Sequence, residues 1–223
     1  MNKAVFFKEW LKMRTCYLCM AAVVAAFTVY CLMRISRIVT IKDVSHVWEL
    51  MIGRDMVFVD VTQYVFPAVG LAVAVAQFLP EMLQKRLKLT LHLPMSQMRM
   101  TFTMLLFGTA LLAILFAASA LAIGIYTGSI LAHELTDRIL LTMLPWYLCG
   151  LAAYYLGAWI LTEPTVRMKI VAALLAVAVL RMFYISSDPE SYNGFLPWMV
   201  WITLSLSVFT WLSILRFKAG AQD

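Results

Sequence analysis

Charge is scarce in this sequence. Aspartate, glutamate, lysine and arginine make up 13% of the 223 residues, about half of what a soluble domain carries. Hydrophobic residues reach 63%, and mean hydropathy is +0.86. A soluble fold would need a core larger than the surface left to cover it. No glycine is followed by lysine, so the Gly-Lys-Ser/Thr ending of a phosphate-binding loop is missing. The chain therefore carries no such site for hydrolysing ATP itself. No Gly-x-Ser-x-Gly nucleophile elbow occurs. His133-Glu134-Leu135-Thr136-Asp137 opens like a zinc-protease helix, but Asp137 stands where the second histidine is needed. The four cysteines, Cys16, Cys19, Cys31 and Cys149, all fall in apolar runs, where cysteine behaves as a small hydrophobe. No metal site is expected. The apolar runs hold almost no ionisable residues, which argues against a proton relay through the membrane.

What is present is a series of long apolar runs. A transmembrane helix needs about 20 such residues. Six stretches qualify: about 15–33, 61–79, 99–127, 139–161, 166–185 and 196–215. The fifth has Arg167 and Lys169 at its start and Arg181 near its end, so its apolar centre is short. The runs are continuous rather than alternating, which favours helices over a transmembrane barrel. The expected fold is all-α and integral to a membrane, one transmembrane domain over residues 1–223. The first run ends at Arg34 rather than at a small-residue cleavage site, so it reads as a retained span and not as a signal peptide. Residues 34–60 form the longest connection, read as a short surface helix or a packed loop. In 186–195, Asp188-Pro189 and Asn193-Gly194 are turn signals.

Charge placement sets the orientation. With the N-terminus inside and six crossings, the inner segments hold twelve basic residues and four acidic ones (Glu9, Glu81, Glu163 and Asp223). The outer segments hold six basic and eight acidic residues. Short loops are the regime in which positive charge stays inside. Both termini are thus expected in the cytoplasm, and the basic balance reads as topology rather than nucleic-acid binding. The short loops point to a bacterial inner membrane.

Two segments flank the early spans. Residues 1–14 read as an interfacial elbow helix, with Phe6, Trp10 and Met13 in one stripe, Phe7 and Leu11 beside them, and Lys8, Glu9 and Lys12 opposite. Between the second and third spans, Pro80 precedes a helix-compatible run that Pro94 ends. Within it Glu81, Lys85, Lys88 and His92 share one helical face, while Leu83, Leu87 and Leu91 line another. This predicts an amphipathic helix over 81–93, tethered tightly at both ends. Among polar residues in or beside the spans, Gln63, Tyr64, Tyr154 and Tyr155 are candidates to line a substrate path. Pro67 with Gly70, and Gly150 with Gly157, mark kinks or close helix contacts.

Glu81, then Lys85-Arg86, then Thr90-Leu91-His92-Leu93-Pro94 and Met95-Ser96 resemble the cytoplasmic coupling helix of permease subunits in the ABC type 2 exporter family. Leu87-Lys88-Leu89 departs from the small residue usual before the threonine. The elbow, the six spans and the coupling helix resemble that family's layout over nearly the whole chain. The resemblance implies a non-catalytic subunit that pairs with a second permease. It also implies two copies of a separate cytoplasmic ATPase, which bind ATP and magnesium. Glu81, Lys85, Arg86, Lys88, Thr90, Leu91, His92 and Pro94 would then form the ATPase-coupling surface. The short loops and apolar spans suit a hydrophobic or amphipathic cargo. The other readings are an accessory subunit that docks a cytoplasmic partner without a substrate path, and a small integral membrane enzyme.

Overall fold

The computed structural model describes residues 2–83, 96–186 and 188–218. Among these the secondary structure is helical throughout, with no strand. The helices are α1 (Asn2–Gly53), α2 (Val65–Leu83, entered through a 3-10 turn over Asp60–Tyr64), α3 (Gln97–Ile130), α4 (His133–Thr162), α5 (Val166–Met182), α6 (Leu196–Ser205) and α7 (Ser207–Lys218). Five segments are long and apolar enough to cross a membrane: Phe6–Ile41, Asp60–Leu83, Gln97–Ile130, His133–Thr162 and Leu196–Lys218. That set is compatible with an integral membrane protein.

Helix α1 runs 52 residues without a break, about 78 Å at the helical rise. A bilayer with its headgroups is about 40–45 Å thick. The sequence reading ended this element at Arg34, where apolarity stops. The helix continues because nothing halts it: the first glycine is Gly53 and the first proline is Pro67. Charge ends a hydrophobic run; a helix needs a breaker. Residues 1–14 and much of the 34–60 connection therefore belong to one rod with the first span, and no separate elbow is set off from it. Past Gly53 the chain turns back through Asp55, at φ +50°, where Met56 N–H donates to Leu50 O at 3.2 Å.

Helix α4 is the centre of the bundle. It packs against α2, α3, α5, α6 and α7, while α1 lies outside against α2 and α3. The α2–α4 seam is the closest, and small residues make it so. A Cβ on Gly70 would run into the Gly150 carbonyl, and one on Gly157 would meet Ala74 at 3.0 Å. Without a side chain at these positions the two backbones approach closely, which gives the pair its packing contact. Two residues, Leu131 and Ala132, connect α3 to α4, which makes them an antiparallel hairpin.

The last crossing segment is two helices, broken at Leu206. No glycine or proline lies there. Ser205 Oγ donates to Ile202 O and Ser207 Oγ to Leu204 O, both at 2.7 Å. Ile202 O also accepts the Leu206 N–H at 3.2 Å, so the Ser205 hydroxyl shares this carbonyl with the backbone. Helix α5, at 17 residues, falls short of a span by length. Its two ends nonetheless lie at opposite ends of the bundle. Near its start, Glu163 meets Ser213 and Arg216 of α7. Beyond its end, Tyr184 donates to Gln63 O at 2.7 Å.

Candidate functional site

The bundle has a Glu81 end and an Asp60 end, and both carry polar structure. At the Glu81 end the polar groups are buried. Glu9 lies two turns into α1, on the face turned toward α2 and α3. It is fully buried, as are Gln77 and Tyr154, and Glu81 is 1% exposed. Lys12 Nζ lies 2.8 Å from Glu9 Oε2 and 3.1 Å from Glu81 Oε1. Lys8 Nζ reaches the same Glu81 oxygen at 2.9 Å from a more exposed position. Two carboxylates thus face two ammonium groups, and the set can be neutral as a whole. That neutrality is what makes its burial tolerable, because an isolated buried ion costs several kcal/mol (~).

Gln77 joins this ionic group to the rest of the bundle. Its Nε2 donates to Glu9 Oε2 at 3.1 Å and to Met104 O at 2.9 Å. Its Oε1 accepts from Tyr154 Oη at 2.7 Å. Both amide hydrogens and the carbonyl are used, so the orientation of the amide is fixed by its partners. Tyr154 Oη also lies 3.3 Å from Leu105 O. Gly108 makes room for it: a Cβ there would collide with the phenol and lie 2.6 Å from Gln77 Oε1. One connected network therefore links α1 (Lys8, Glu9, Lys12), α2 (Gln77, Glu81), α3 (Met104, Leu105) and α4 (Tyr154). Glu81 Oε2 is buried without a hydrogen-bond partner. On the other side of this end, Glu163 is buried beside Ser213, whose hydroxyl donates to it, with Arg216 at 3.6 Å.

This arrangement corrects the reading of the N-terminal residues. The stripe of Phe6, Trp10 and Met13 does not face one way. Met13 is fully buried, whereas Phe7, Trp10 and Leu11 are exposed. Glu9 and Lys12, read as the polar face, point inward. Phe7, Trp10 and Leu11 face outward while Glu9 and Lys12 find ionic partners inside, so burial here follows the available polar partners rather than hydropathy.

Pro80 does not mark the start of a new helix. It lies inside α2, which runs on to Leu83, so Glu81 belongs to α2 and faces into the bundle. Lys85, Arg86, Lys88, Thr90, Leu91, His92 and Pro94 lie outside the described residues. The four path candidates separate. Gln63 and Tyr64 stand at the Asp60 end. Tyr154 is locked in the Glu81-end network. Tyr155 shares a hydrogen bond with Thr109 at 2.8 Å, and Thr210 Oγ1 donates to its carbonyl at 3.4 Å. Gln77 is not singled out by the sequence, and Glu9 reads there as part of the polar face of residues 1–14. The signal was present: a Glu-x-x-Lys pair one turn apart, and Gln77 as the one polar side chain in the run 65–79.

At the Asp60 end the polar groups are open. Arg34 pairs with Asp60, and Arg138 pairs with Asp55. Both aspartates are more than half exposed. At the same end lies a cavity of about 180 Å³, lined by Gln63, Tyr64, Thr142, Arg181 and Glu190 among others.

Among protein-family models, curated proteins and solved structures, none matches this chain.

Proposed function

We propose that the chain is the membrane-spanning subunit of an ATP-driven exporter of the ABC type 2 kind. In this reading it is non-catalytic, and a separate cytoplasmic ATPase, present in two copies, supplies the energy. It pairs with a second copy or a homologous permease, in a bacterial inner membrane with both termini in the cytoplasm. The Glu81 end is then the cytoplasmic end, and α5 is the short fifth of six crossings, because its ends lie at the two ends of the bundle.

The observation that carries this reading is the network around Gln77 and Glu81. The segment that begins at Gln84 is rooted in the last turn of α2, and that turn is tied by hydrogen bonds and ion pairs to α1, α3 and α4. A force applied to the segment by a partner would not bend a free loop. It would load four helices together, as transmission from an ATPase to a membrane path requires. Lys85, Arg86 and Lys88 would meet acidic groups of the ATPase. Glu81 acts on the inside of the bundle, as the anchor of the coupling segment.

The test is purification of the tagged chain in nanodiscs from its own cells, with identification of what stays bound. The reading expects a stoichiometric soluble ATPase, lost in Lys85→Glu/Arg86→Glu while membrane insertion is unchanged. A chain that purifies without an ATPase, or retains it equally well in the double variant, refutes the reading.

A further inference from the structure

The cavity at the Asp60 end has a composition that the exporter reading does not use. It sits between α4, the end of α5 and the 3-10 turn before α2, at the level where the α2 and α5 segments end. That is headgroup depth for a chain embedded in a bilayer. Its volume of about 180 Å³ is room for about six water-sized groups. It fits a small polar head and is too small for an acyl chain.

Its walls carry both signs of charge. Arg181 brings a guanidinium to the lining, and no ion pair among the described residues uses it. Asp188 and Glu190 bring carboxylates to the same lining. Their own partners are weak: Ser186 Oγ at 3.4 Å from Asp188, and Asn193 Nδ2 at 3.5 Å from Glu190. Tyr64 and Tyr184 stack with centroids 5.4 Å apart, and both rings line the same cavity as the carboxylates. Pro145 has no N–H to give the carbonyl of Leu141 one turn earlier, and both residues line the cavity. A hydrogen-bond acceptor is thereby left without its usual helical donor.

The loop that closes the cavity is built. Glu190 N–H donates to Thr142 Oγ1 of α4 at 3.3 Å. Ser186 N–H donates to Tyr192 Oη at 3.0 Å, and that hydroxyl lies 3.2 Å from Met182 O. Glu190 holds φ at +60°, a conformation a non-glycine residue keeps only where its surroundings enforce it.

We propose that this cavity binds a zwitterion. An anionic group would sit on Arg181. An ammonium group would sit between Asp188 and Glu190, against the tyrosine faces and the Leu141 carbonyl. A phosphoethanolamine group has this chemistry, whether as the head of a bilayer lipid or as a free solute. Guanidinium–phosphate pairing supplies the anion subsite, and carboxylates with aromatic faces supply the cation subsite.

Titration of the purified protein in detergent with soluble phosphoethanolamine, read by tryptophan fluorescence through Trp146, tests the site. Saturable binding is expected, weakened about tenfold or more in Arg181→Gln and in Glu190→Gln, and largely kept in Arg181→Lys. Inorganic phosphate and ethanolamine alone should bind far more weakly. Native mass spectrometry from vesicles of equal phosphatidylethanolamine and phosphatidylglycerol separates the sources. Preferential retention of the former, lost in Arg181→Gln, makes the ligand a lipid head; soluble binding with no lipid retained makes it a free solute. Equal affinity in the correctly folded Arg181→Gln and Glu190→Gln variants overturns the proposal. So does phosphate alone binding as well as phosphoethanolamine, or no binding by either method.

Discussion

The two ends of the bundle handle charge in opposite ways. At the Glu81 end, Glu9, Gln77, Glu81 and Tyr154 are buried, and every helix from α1 to α4 contributes a group. At the Asp60 end, the ion pairs Arg34–Asp60 and Arg138–Asp55 reach solvent through their aspartates while the arginines are partly buried, and a cavity stands where the other end has a filled network. Buried polar networks are costly to break and rigidify what they join. Exposed pairs are worth little and rearrange easily. One end is built to hold four helices in fixed relation, and the other leaves them room to part.

That contrast can be broken by substitution. The largest effect is expected for Glu81→Ala, which strips Lys12 of one of its two carboxylates. A loss of about 3 kcal/mol is expected, read as a lowered unfolding midpoint in detergent or nanodiscs. Next comes Gly70→Ala, where the new methyl meets the Gly150 carbonyl. A loss of about 1–3 kcal/mol follows from overpacking. Gly128→Ala in α3, with nothing within 4 Å, is the matched control and should be neutral or slightly stabilising. Tyr154→Phe leaves Gln77 Oε1 unpaired and should cost about 1–2 kcal/mol. Combined with Gln77→Leu it should cost less than the two single losses together, because both remove the same bond. The smallest effect is expected for Arg138→Gln, under about 1 kcal/mol and smaller still at high salt. If Arg138→Gln proved as costly as Glu81→Ala, the two ends would not differ as described.

Hydropathy made most of the fold legible. Each of the five segments long and apolar enough to cross a membrane contains one of the apolar runs read from the sequence, because apolar length is a strong and simple signal. The failures fall where another force decides. The far end of α1 was missed because the helix is set by the absence of glycine and proline up to Gly53, and hydropathy does not register that absence. The break at Leu206 is flanked by two serine hydroxyls that bond back to carbonyls, an arrangement the residue types permit but do not dictate. Gly70, Gly150 and Gly157 were read as kinks or close contacts, and the contact is what α2 and α4 make of them.

The polar network was half legible. Glu81 stood out beside the basic segment, but its role was read as outward. Glu9 looked like part of a solvated face because its neighbours Lys8 and Lys12 are cations. What turns that face inward is Gln77, 68 residues away in sequence, and a single chain does not reveal a pairing at that distance. Tyr154 was noticed as polar, but its partner across the bundle was not visible.

In the exporter reading proposed above, the central claim is that the Gln77–Glu81 network would carry movement from the segment after α2 to the far end of the bundle. Spin labels at Arg37→Cys on α1 and Glu134→Cys on α4, in a background cleared of the four native cysteines, would report the separation at the Asp60 end. The account predicts that ATP with vanadate changes this distance in the complex with its ATPase, and that Gln77→Leu abolishes the change while the ATPase stays bound. The same nucleotide-driven change in Gln77→Leu as in the unmodified network would contradict it.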